Sequence, residues 1–230
     1  MIFSKDSRLN SRQKKLSKLK NLPDSLIDYL SELLPSSSDR VKDIEFLVLD
    51  FETTGLNPKT DRVVSFGYTV IDQLAILNSM NGHYIVNPKT ELTEQNVSIH
   101  EITDDEVKSG ITVSQMMEKI FELLKGRALL VHFDYIEKGF INQVCQNLYG
   151  FKDLPMVVVD TLKVECMKQN KKFVHTQPDS MRLNALRDRY NLPIHGAHHA
   201  MLDAIATAEL FLAQISYMKN PSEITLKQVI

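Results

Sequence analysis

The stretch "IEFLVLDFE", residues 44–52, constrains the fold more than any other part of the chain. It is almost uninterruptedly apolar, the pattern of a strand buried on both faces near the centre of a sheet. It ends in Asp50 and Glu52. Side chains at i and i+2 of a strand leave on the same face. Burying a charge without a partner costs several kcal/mol, and two neighbouring carboxylates raise one another's pKa. A central strand that finishes this way needs either water or a cation at its tip. Hard divalent ions such as Mg²⁺ take carboxylate oxygens and share themselves with substrate phosphates. Asp-x-Glu alone is equally the pattern of a solvated strand end.

The surrounding pattern gives the architecture. "DRVVSFGYTVID" (61–72) and "AILNSMNGHYIVN" (75–87) alternate as antiparallel strands do. "RALLVHF" (127–133) and "MVVVDT" (156–161) read as further buried strands. Helical periodicity marks "TVSQMMEKIFELLKG" (112–126), "IEKGFINQVCQNLYG" (136–150), "DSMRLNALRDRYNLP" (179–193) and "HHAMLDAIATAELFLAQI" (198–215), several with a closing Gly or Pro. Strands in succession followed by alternating helix and strand predict a mixed five-stranded α/β sheet with helices on both faces. This core occupies residues 43–218, between an N-terminal helical extension (1–42) and a C-terminal tail (219–230).

Residues 1–20 carry Lys5, Arg8, Arg12, Lys14, Lys15, Lys18 and Lys20 against the single acid Asp6. The extension either packs helices on the back of the core or offers an arm to a partner or to phosphates. A mitochondrial presequence would share its basic, acid-poor character. The whole chain has 230 residues and a formal net charge of −2. It therefore lacks the strong positive charge of proteins that coat long nucleic acid. Contact with nucleic acid would have to be short, local or metal-assisted. Cys145 and Cys166 have no metal-ligand spacing and read as reduced thiols in a cytoplasmic protein. No apolar run approaches a membrane span.

A second acidic element lies in "AHHAMLDA", where His198 precedes Asp203 by five residues. That offset turns a helix by about 500°, so the two share a site only if His198 sits in the loop before the helix. Asp203 then points inward from the first turn. Ala204, Ala206 and Ala208 let that helix approach the sheet closely.

"LVLDFETTGL" together with "AHHAMLDA" resembles the DEDDh (DnaQ-like) 3′–5′ exonucleases, a group that includes the proofreading epsilon subunit of bacterial DNA polymerase III. "VVDTL", "VSIHEIT" and "LNALRDRYNLP" are also similar to that family, and the resemblance runs from residue 44 to about 215. It implies a ribonuclease-H-like fold and metal-dependent removal of nucleotides from 3′ ends. It implies two divalent ions, Mg²⁺ or Mn²⁺, on Asp50, Glu52, Asp203 and a further carboxylate, with His198 as general base. One motif departs from the family pattern. In "VHFDYIEKGFI" the register that matches Phe140 and Ile141 puts Glu137 where the family has Asp, with Asp134 as the rival. The resemblance further implies substrate contacts from Phe51, Thr53, Thr54, Gly55, Leu56, His132 and Phe133. Leu56 would wedge against the last base, or else pack locally beside a turn glycine; Phe133 would stack a base or serve the core. Single-stranded DNA is the implied substrate, with RNA trimming as an alternative and a DNA polymerase or a second copy of the chain as candidate partners. A weakly catalytic binding module is the reading favoured by Glu137 in place of Asp.

Overall fold

The computed structural model describes residues 5–88, 104–169, 179–194, 196 and 199–230. The segments "VSIHEIT" and His198 fall outside them.

Strand β1 (Phe46–Thr53) is central, as its composition predicts. It pairs antiparallel with β2 (Val63–Asp72) and parallel with β6 (Ala128–Val131). Strand β7 (Val158–Asp160) continues the parallel side, and β4 (Gly82–Asn87) the antiparallel side. These are the five expected strands. Two-residue strands, β3 (Ala75–Ile76) and β5 (Ile111–Thr112), raise the count to seven, in the order β5-β4-β2-β1-β6-β7 with β3 beside β2. The segment 75–87 is therefore not one strand. A 3-10 turn at Asn78–Met80 divides it, and the chain leaves the sheet before rejoining as β4.

Alternation along β1 sorts its side chains into two layers. Leu47, Leu49 and Phe51 face a core shared with α2 (Asp24–Ser31), α4 (Val113–Leu124) and α5 (Tyr135–Tyr149). Phe46 and Val48 face the opposite layer, where Ala204, Ala208 and Phe211 of α8 (Ala200–Ser216) pack on them. Asp50 and Glu52 continue this second face. Burial on both sides is why β1 carries no polar alternation until its end.

The helices form where their caps predict. Thr112 closes a capping box with Gln115 at the start of α4, and Gly150 ends α5 in the left-handed conformation at φ 74°. The expected helix at 179–193 is shorter. A 3-10 turn (Asp179–Met181) precedes α7 (Leu183–Arg189), because Arg182 takes an extended conformation between them. The remaining described helices are α1 (Lys5–Leu16), α3 (Asp104–Ser109) and α6 (Thr161–Lys168).

Both terminal segments join the core. Leu16, Leu26, Tyr29 and Leu30 lie in the α4–α5 layer, and the Tyr29 hydroxyl donates to the Pro155 carbonyl at 2.6 Å. Ile224, Leu226 and Val229 fill the α8 layer, while the Val41 N–H donates to the Ile224 carbonyl at 2.8 Å. Cys145 and Cys166 are free and buried, and burial pushes the Cys145 thiol up to about 12. No described helix is long and apolar enough to cross a membrane.

Helix α8 approaches β2 very closely. A Cβ built on Gly67 would lie 1.9 Å from the Met201 nitrogen and 2.1 Å from the Ala200 carbonyl carbon. Only glycine permits this contact, and Ala204, Ala206 and Ala208 keep the rest of the interface thin. Gly67→Ala is therefore expected to cost about 3 kcal/mol or more, an overpacking penalty with no flexible side chain to absorb it. Gly196→Ala, whose Cβ would meet nothing within 4 Å, should change stability by less than about 0.5 kcal/mol. Urea unfolding midpoints of the two variants check this; equal midpoints would contradict the packing argument.

Candidate functional site

Gly67 faces Asp50 directly in the β1–β2 register, and His83 of β4 faces Gly67 on its other side. The helix that presses on Gly67 thus brings its first turn to the end of β1. Asp203 lies in that turn, its N–H bonded to the His199 carbonyl at 3.0 Å and its Oδ2 accepting from the His199 N–H at 3.2 Å. The outcome is a cluster of Asp50, Glu52 and Asp203 whose ligand oxygens lie within 4.8 Å of one another. Residues separated by about 150 positions meet because one helix can touch one strand.

A fourth carboxylate stands behind the cluster. Glu137, in the first turn of α5, is only 3% exposed, and its Oε2 has no hydrogen-bond partner. Burial raises the Asp50 pKa well above the ordinary value, and the charges of Glu137, Asp203 and Glu52 add to the effect. Glu137 is likewise raised, by burial foremost and then by Asp160 and Asp134, against hydrogen bonding to the backbone of Glu137 and Phe51.

Asp134 has a different environment. Its Oδ2 accepts from the Lys163 ammonium at 2.5 Å. Of the two rival acids, Glu137 is the buried one whose charge bears on Asp50.

Asp160 organises this wall of the site. At the end of β7 it caps α6 through the Leu162 N–H at 2.9 Å and also accepts from the Phe133 and Asp134 N–H groups, at 2.9 and 3.1 Å. Phe133 holds a left-handed φ of 76°, uncommon for a bulky residue and a form of strain found at functional sites. This tight turn lets α5 start directly after β6. The role of Asp160 was not read from the sequence, although "VVDTL" displays an acid at a strand end. The role of Gly67 was also missed, because a glycine inside a strand signals close approach without naming the neighbour.

The other expected contacts divide. Leu56 is 70% exposed at the β1–β2 connection, so it does not pack locally. Thr53 Oγ1 donates to the Gly55 carbonyl at 2.8 Å and Thr54 Oγ1 accepts from the Arg62 N–H at 2.9 Å, which fixes the turn that carries it. Phe133 is partly buried against the Leu162–Leu186 cluster and 5.8 Å from the Tyr135 ring. Two expected contacts lie in the interior. The Phe51 side chain takes the opposite face of β1 and enters the core. The His132 ring bonds Thr161 Oγ1 at 2.7 Å and the Met181 carbonyl at 3.1 Å, and burial lowers its pKa to about 4. His132 thereby ties β6 to α6.

Two interactions steady the approach to α8. The His83 and His199 rings pack at a tilt, with centroids 4.5 Å apart. Buried Arg187 donates to the Ala206 and Pro193 carbonyls, both at 2.8 Å, and pairs with Glu209 at 2.7 Å. It therefore clamps α7, α8 and the chain near Pro193 together.

Comparison with known proteins agrees with this geometry. A family model described as an exonuclease matches residues 47–211. The PolC-type DNA polymerase III of Mycoplasmopsis pulmonis is 26% identical over 184 residues, covering 79% of this chain and 12% of the polymerase. The chain thus spans only a small part of the curated relatives it matches. Among solved structures, E. coli ExoI in a zinc-bound complex with single-stranded DNA superposes with a TM-score of 0.62 at 18% identity, covering 76% of this chain and 41% of that one. A 3′-exonuclease solved with a histone mRNA stem-loop gives 0.64 at 19% identity, covering 77% and 84%.

The raised carboxyl pKa values make a stability prediction. A group whose folded pKa exceeds its unfolded value of about 4 stabilises the fold fully below that value and loses the contribution as pH rises through the folded pKa. In the absence of divalent ions, the melting temperature should fall as pH is raised above the ordinary carboxylate range. Asp50→Asn should flatten that fall, and Mg²⁺ or Mn²⁺ should offset it in the parent. Calorimetry across pH with and without chelator checks this; a parent profile superimposable on that of Asp50→Asn would contradict it.

Proposed function

We propose that this chain, which belongs to the DEDDh exonuclease family, removes nucleotides stepwise from the 3′ ends of single-stranded DNA. The convergence of Asp50, Glu52 and Asp203 within 4.8 Å carries the reading. An all-oxygen donor set suits Mg²⁺ or Mn²⁺. The unpartnered buried Oε2 of Glu137 is a further acceptor that such an ion, or water on it, would satisfy. Asp50, Glu52 and Asp203 would hold one ion, and Asp50 with Glu137 a second. When bound, such a pair activates water and stabilises charge on the attacking and leaving oxygens of the phosphodiester.

The chain's own groups supply the rest. His198 accepts the proton of the attacking water, and above its ordinary pKa of about 6.5 it is neutral and able to do so. Arg187 and the His83–His199 pair steady the elements on either side of it. Leu56, exposed on a turn fixed by Thr53 and Thr54, is free to press on the terminal base. Gly55 keeps that turn tight, since a Cβ there would lie 2.6 Å from Asp61 Oδ2. Asp134, committed to Lys163, supports the wall, and Glu137 is the third carboxylate of the family pattern.

Likeness to part of a PolC-type polymerase favours DNA as substrate and work alongside a polymerase. Likeness to a 3′-exonuclease solved with an mRNA stem-loop supports RNA trimming as the second reading. Incubating 5′-labelled DNA and RNA oligonucleotides of equal length with the protein and Mg²⁺ or Mn²⁺ decides between them. A ladder of shortened products, faster on DNA, is expected; a ladder on RNA alone selects the second reading. Asp50→Ala should abolish the ladder, and full activity in that variant would refute the proposal. His198→Ala should lose about 10²–10⁴-fold in rate while retaining metal by calorimetric titration.

A further inference from the structure

Beside the carboxylates lies a groove of about 460 Å³ that the assignment above does not use. One wall is the β1–β2 connection at Asn57, Pro58 and Lys59; the other is the start of α5 with Tyr135, Lys138 and Gly139, and Lys163 of α6 also lines it. The walls touch below, where a Cβ on Gly139 would meet Pro58 Cγ at 2.8 Å.

Its chemistry is cationic and aromatic. Lys59, Lys138 and Lys163 line the groove, and its one acid, Asp134, is neutralised by Lys163. Among the described residues neither Lys59 nor Lys138 has an ion-pair partner. Lysines gathered with so little acid repel one another unless an anion lies between them. The Tyr135 ring is 49% exposed beside them and stacks toward Phe133. An exposed aromatic among lysines is the arrangement that binds single strands, with bases on the ring and phosphates on the cations.

Position joins the groove to the site. Tyr135, Glu137 and Lys138 occupy one turn of α5; Glu137 is buried and its charge bears on Asp50, while Tyr135 and Lys138 line the groove. The start of α5 therefore borders both the groove and the carboxylates.

We propose that the groove binds the single-stranded segment leading to a 3′ end held at the carboxylates, with a base stacked on Tyr135 and phosphates on Lys59 and Lys138. This rests on the nuclease reading and deepens it.

The test measures binding without hydrolysis. Fluorescence anisotropy of a labelled oligothymidylate of about ten nucleotides is followed with the full chain, in chelator, across a salt series. Lys59→Gln combined with Lys138→Gln should weaken binding about 10-fold at low salt. It should also reduce the magnitude of the log–log salt slope by about 1.4, two phosphate contacts at about 0.7 each. Tyr135→Ala should weaken binding about 5-fold or more with the slope unchanged. Parent-like affinity and slope in these variants would overturn the groove, as would a parent that does not bind. Because no bond is cut, binding with the expected losses supports the groove even if the labelled-oligonucleotide assay shows no shortening. That last result would count against the nuclease reading alone.

Discussion

The site depends on a contact between a helix and a strand so close that one methyl group would break it. The backbone of α8 rests on Gly67, and this fixes Asp203 beside Asp50 and Glu52. The three carboxylates repel one another, and Glu137 adds a fourth charge from behind. The layers on either side of β1 supply the free energy that holds the cluster against that repulsion. Each fully buried aliphatic or aromatic side chain there contributes about 1.5–3 kcal/mol, and β1 alone buries Phe46, Leu47, Val48 and Leu49. The strand's apolar run and its acidic end are thus coupled. The first supplies stability, and the second spends it on a constellation that a cation would relieve.

The remaining elements hold the edges of that arrangement. Arg187 links α7, α8 and the Pro193 carbonyl. His132 uses both ring nitrogens within the protein and so braces β6 against α6. The N-terminal helices sit in the core through Leu16, Leu26 and Tyr29.

Much of this was legible in the sequence because period and composition report burial directly. The apolar run of β1, the i and i+2 placement of Asp50 and Glu52, and the small residues of α8 all led to what is observed. The choice of Glu137 over Asp134 rested on a family register; in the structure Glu137 is buried and Asp134 is paired with Lys163. What could not be read was anything decided by distant partners. A glycine in β2 does not announce the helix that will press on it. An aspartate ending β7 does not reveal that its acceptors serve the turn after β6. The break between β3 and β4 escaped because alternation continues across Asn78–Met80 although the pairing does not.

The bonds of Asp160 have one more consequence. Its two oxygens fasten the turn that launches α5 and the first turn of α6. The Asp134–Lys163 pair and the bond from His132 to Thr161 join the same two elements. Glu137, Tyr135 and Lys138 ride on one of those starts and Lys163 on the other. The deep acid and the outer basic wall are therefore mounted on one cross-braced frame.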